Sequence, residues 1–105
     1  MKKLVLSFTL AATMLPAALL ADQITGYISE AHCGAKHDSV SAANTQCING
    51  CLKGGSDPVL VSNGKVMKFD ADSKGKAKAY AGQNVKIDGR MDGDTVKINS
   101  ISKAE

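Results

Sequence analysis

The side chains best suited to soft-metal or thiol chemistry lie close together in this 105-residue chain, as His32-Cys33-Gly34-Ala35-Lys36-His37 followed by Cys47-Ile48-Asn49-Gly50-Cys51. On a helix, Cys47 and Cys51 at i and i+4 share one face, a turn apart. Thiolate and imidazole together suit Zn²⁺ or copper, with Cys33, Cys47, Cys51 and His37 as the candidate ligands. His37 is the better histidine, because four residues from Cys33 leave room for a turn to bring both around one ion. His32 is adjacent to Cys33 and faces away from it in an extended chain.

The competing chemistry is a structural disulfide. Cys47 and Cys51 fall on an apolar stripe with Val40, Ile48 and Leu52, and in a core a cysteine is simply a small hydrophobe. On this reading Cys33 bonds Cys47 or Cys51 and pins the helix down. A Cys33–Cys47 bridge closes a loop of about 14 residues, worth roughly 3 kcal/mol in the chain-entropy model. A bridge within the helix, Cys47 to Cys51, is geometrically poorer. Three cysteines make an odd count, so one bridge leaves a spare thiol able to form a covalent dimer.

Other chemistries find less support. A thiol–disulfide oxidoreductase wants Cys-x-x-Cys at a strand-to-helix junction, and c-type haem attachment wants a histidine after the second cysteine, where Leu52 stands. Asp70, Asp72, Asp92 and Asp94 are too few and too spread for a Ca²⁺ loop and read as solvated turns. No nucleophile elbow or phosphate loop is present in the sequence, so no catalytic residue is named and an enzyme is not expected.

The elements that must position these residues are short. Residues 24–30 alternate as a strand, with Ile24, Gly26 and Ile28 on one side and Thr25, Tyr27 and Ser29 on the other. A loop carries both histidines. Three- and four-residue spacing then predicts a helix over about 40–53, started by Asp38 or Ser39 and ended by Gly54-Gly55. Asn63-Gly64 suits a two-residue hairpin turn that pairs Leu60 with Met67. Residues 71–83 read as a loop or one helical turn near Ala77–Ala81, with Gly82 as a helix end. A second hairpin around Asp92-Gly93 sets Ile87 opposite Ile98 and Asp88 opposite Lys97, with a bend or bulge at Gly89. The whole predicts a mainly β domain with one or two short helices, a small five-stranded OB-like barrel. The cysteine-bearing helix is then an elaborated first loop.

The first 21 residues have a different grammar: Lys2-Lys3, an apolar run to Leu20, then Ala21 before Asp22. That is the pattern of a secretory signal peptide, too short and too broken by Pro16 for a bilayer span. The expectation is a periplasmic or secreted protein of residues 22–105 with no stable membrane insertion after cleavage. Without those 21 residues the chain has 11 basic and 10 acidic side chains, and its aromatic residues are Tyr27, Phe69 and Tyr80. Neither the charge nor the aromatic content supports a nucleic-acid partner.

The run Gly26-Tyr27-Ile28-Ser29-Glu30-Ala31-His32-Cys33-Gly34, followed by Cys47-x3-Cys51, resembles small exported bacterial domains that open with Gly-Tyr/Trp-Ile-Ser-Asp-x-x-Cys-Gly. Glu30 stands where those domains have aspartate. The resemblance implies export and an OB-like fold, and it implies no substrate. Together these readings point to an exported binding or accessory module stabilised by a disulfide, with a copper- or zinc-binding protein as the alternative.

Overall fold

The computed structural model describes residues 22–37 and 39–104; the expected leader and the expected cap residue Asp38 lie outside them. Five strands are formed: β1 (Asp22–Glu30), β2 (Pro58–Ser62), β3 (Lys65–Phe69), β4 (Asn84–Asp92) and β5 (Thr95–Lys103). Helix α1 (Ala42–Lys53) joins β1 to β2, and α2 (Ala71–Lys78) joins β3 to β4. The strands close in the order β1-β2-β3-β5-β4, with β4 returning to β1. Every pairing is antiparallel except β3 with β5. This is the expected OB-like barrel, mainly β with two short helices. No helix among the described residues is long and apolar enough to cross a membrane.

Closure depends on β1, whose first residues pair with β4 and whose last pair with β2, Tyr27 facing both Val61 and Asn84. The inward-facing set Ile28, Leu60, Met67, Phe69, Val85, Ile87, Val96 and Ile98 forms the barrel core together with Ala77 of α2. Strand alternation produces this directly, since every second residue faces inward. The Leu60–Met67 pairing and the Asn63-Gly64 turn, with both φ angles positive, are as expected.

Four local expectations are corrected. In the second hairpin the turn falls on Gly93-Asp94, so Asp92 pairs with Thr95, Gly89 with Ile98 and Arg90 with Lys97. A bulge at Asp88/Gly89 then sets Ile87 opposite Ile101. Gly89 is required there, because a Cβ would run into the Lys97 carbonyl oxygen. Residues 71–78 form a complete helix rather than the expected loop or single helical turn near Ala77–Ala81. Asp70 caps it through Ser73 N–H, 2.9 Å, and buried Ser73 accepts a 2.8 Å hydrogen bond from Ile98 N–H across the barrel opening. The polar, Gly75-containing sequence hides this helix, since only Ser73 and Ala77 of it are buried.

Helix α1 starts later than expected. Its N-cap is Ser41, whose hydroxyl accepts from Asn44 N–H at 3.0 Å, so Val40 lies outside the helix and is 60% exposed. Its end is as foreseen. Gly55 N–H donates to Leu52 O and Ser56 N–H to Cys51 O, with Gly55 at φ +105°, a Schellman closure. The helix packs on the outer wall of the barrel, where Ile48 joins Tyr27, Val61 and Ala81 in a second small cluster edged by Leu52. Gly82, at φ +78°, admits the helix there, because a Cβ would overlap Thr45. Gly82 is thus a seat for α1 rather than the end of a helix.

Candidate functional site

Only Ile48 of α1 is fully buried, and this sets the helix rotation. Cys47 is consequently exposed and Cys51 half-buried, so the apolar stripe expected to point both thiols into the barrel does not exist. The cysteines look sideways, toward the loop that leaves β1. That loop is held at its base by two hydrogen bonds, Ser29 Oγ–H to Gly34 O at 2.8 Å and Ala31 N–H to Asp57 O at 2.8 Å. It makes one 3-10 turn (Gly34–Lys36), with Cys33 at its start and His37 at its end.

This turn brings three of the four expected metal ligands together. Single ligand atoms of Cys33, His37 and Cys47 lie within 4.8 Å of one another. The ring of His37 is oriented by α1. Asn44 donates its amide to Ser39 O at 2.9 Å, which presents Asn44 Oδ1 to His37 Nδ1 at 3.0 Å. With the Nδ1 proton given to that oxygen, Nε2 carries a lone pair. It is buried and has no hydrogen-bond partner among the described residues. A histidine held through one nitrogen so that the other is free to ligate is the usual outer-sphere arrangement of metal sites.

Cys51 takes a different part. It lies outside the three-ligand group, half-buried and close to Cys47 and Glu30. His32 is exposed, in line with its expected orientation.

The residue that sequence reasoning missed is Glu30. It is fully buried at the end of β1. Its Oε1 accepts from His32 N–H at 2.7 Å and Ser56 Oγ–H at 3.0 Å, and its Oε2 accepts from Cys33 N–H at 3.1 Å. Burial opposes the charged form. The Cys33 thiol, the Ser56 hydroxyl and the two backbone amides outweigh it and hold the carboxyl below its ordinary range. Among the described residues no Lys, Arg or His pairs with this carboxylate; the ion pair found there is Lys74–Asp57, 3.3 Å, at the surface. The only signal in the sequence was an acidic residue where strand alternation runs into the Cys33 loop.

Glu30 in turn governs the thiols. Its hydrogen bond pushes Cys33 up to about 11, helped by burial and by repulsion from the carboxylate and the other two cysteines. Cys51 is raised by burial first and then by Glu30. No bridge joins Cys33 to Cys47 or Cys51 in this structure, and all three thiols are free.

No protein family, curated protein or solved structure matches the chain.

Proposed function

We propose that this protein binds a thiophilic d¹⁰ metal ion, Zn²⁺ or Cu⁺, through Cys33 Sγ, Cys47 Sγ and His37 Nε2. The observation that carries the reading is the convergence of these three groups with His37 Nε2 buried, unpartnered and oriented by Asn44. A soft ligand set of two sulfurs and one imidazole suits both ions. Glu30 adds a second support, because a buried carboxylate without a counter-charge favours a cation beside it. Exposure of Cys47 leaves the site open on one side, which fits loading and release better than a permanent structural ion. The leader-like sequence of residues 1–21 supports export as the setting of this activity.

A second reading keeps the exported binding module with a disulfide. It is favoured by the closeness of Cys33 to Cys47, which are also the pair that a modest loop closure would join. One experiment separates the two. Native intact-mass analysis of protein purified without reductant or chelator should show one bound ion and three alkylatable thiols after ion removal. Cys33→Ser, Cys47→Ser and His37→Ala should each weaken binding of that same ion by at least tenfold. A mass two units below the reduced chain, one alkylatable thiol and no ion would overturn the metal reading in favour of the disulfide.

A further inference from the structure

Resting on that metal reading, we infer that Glu30 is the specificity-determining residue of the site: its fixed negative charge, touching the ligand Cys33 from the second sphere, biases the site toward divalent Zn²⁺ and against Cu⁺. The carboxylate is buried and receives hydrogen bonds from His32 N–H, Cys33 N–H and Ser56 Oγ–H. Those donors come from backbone amides and a hydroxyl that the fold already aims at it, so the charge is built in and independent of any ion.

The selectivity follows from charge balance. Held by the same two thiolates and the His37 imidazole, Zn²⁺ gives a complex of zero net charge. Cu⁺ in the same ligands gives a complex with one net negative charge. That extra charge sits against a buried carboxylate, where screening by solvent is weak. Glu30 therefore costs the monovalent complex more than the divalent one. Cys51 fits this scheme by lying outside the three-ligand group, since a third thiolate would add the same unwanted negative charge to the zinc complex.

The experiment measures both affinities on the reduced full chain, anaerobically, by competition with a chromophoric chelator for each ion. Wild type should bind both ions. Glu30→Gln should raise the ratio of Cu⁺ to Zn²⁺ affinity by at least tenfold, and Glu30→Asp, which keeps the charge, should restore the wild-type ratio to within about threefold. If Glu30→Gln does not fold, Ala31→Lys supplies an independent reading. This exposed neighbour brings in a positive charge without touching the buried network, and it should shift the ratio in the same direction by about threefold. An unchanged ratio in a folded Glu30→Gln, or in Ala31→Lys where Glu30→Gln is lost, overturns the assignment of Glu30 while leaving the metal reading intact. Failure of the wild type to bind either ion would overturn both.

Discussion

The barrel interior and the cap laid over its outer wall are held by different physics. Nine buried residues, contributed by every strand and by α2, interlock inside the barrel, and burial of that kind is worth roughly 1.5–3 kcal/mol per large side chain. The cap, meaning the Cys33 loop and α1, rests on a cluster of four buried residues to which α1 contributes only Ile48. What it lacks in apolar contact it makes up with directed hydrogen bonds: Glu30 to the loop, Asn44 to His37, Ser29 to Gly34. The difference teaches why the candidate site lies in the cap. A densely packed interior has no room for free lone pairs and open coordination, whereas a thinly packed cover can hold polar ligands in place and still admit an ion.

The sharpest way to strain this comparison is to damage each region at its centre. Leu60→Ala removes a fully buried side chain facing Met67. It should cost about 2–5 kcal/mol in urea denaturation, with the barrel and the thiol cluster lost in one transition. Ile48→Ala should cost less, about 2 kcal/mol at the low end of such substitutions, and mostly locally. Amide exchange should quicken throughout α1 while Leu60, Ile87 and Ile98 keep their protection. If the barrel amides lose protection in step with α1, the two regions are one cooperative unit and the contrast fails.

The helix caps give a finer test. Ser41→Ala, which removes the hydroxyl bonded to Asn44 N–H, should cost about 1 kcal/mol and should loosen His37 through Asn44. The α2 cap differs because it titrates. Asp70 is held below its ordinary range, first by its hydrogen bond to the Ser73 side chain. Its stabilisation is therefore present above the ordinary carboxylate range and lost as pH falls through the lowered value. Thermal melts taken from about pH 5 down to about pH 2 should fall less steeply for Asp70→Asn than for wild type. They should not become flat, because Glu30 contributes with the same sign. Equal slopes for the two proteins would mean that Asp70 does not cap α2 as its geometry implies.

Much of the barrel was legible before any coordinates. Leu60 against Met67 and the Asn63-Gly64 turn follow from alternation and positive-φ chemistry, and both are local signals. The register of the second hairpin was not, since Asp92-Gly93 and Gly93-Asp94 are both acceptable turns and only the bulge at Gly89 decides between them. In the candidate site, Cys33, Cys47 and His37 were readable as ligands of one ion, but their approach within 4.8 Å depends on the 3-10 turn of the loop and the rotation of α1. Cys51 was read as an equal ligand because helical spacing alone puts it beside Cys47.

By itself, then, the sequence determined the five strands and the cysteine-bearing helix, the barrel class, the presence of a thiol–imidazole group and the alternation that fills the core. Each of these depends on residues a few positions apart. Only the tertiary structure decided which way α1 is rotated, that Cys51 stays outside the group of Cys33, His37 and Cys47, and that Glu30 is buried among backbone and hydroxyl donors. Those outcomes depend on contacts between β1, the loop, α1 and Ser56, separated by up to 26 positions. The energy of a buried carboxylate is set by which donors surround it in space, and that has no counterpart in local pattern.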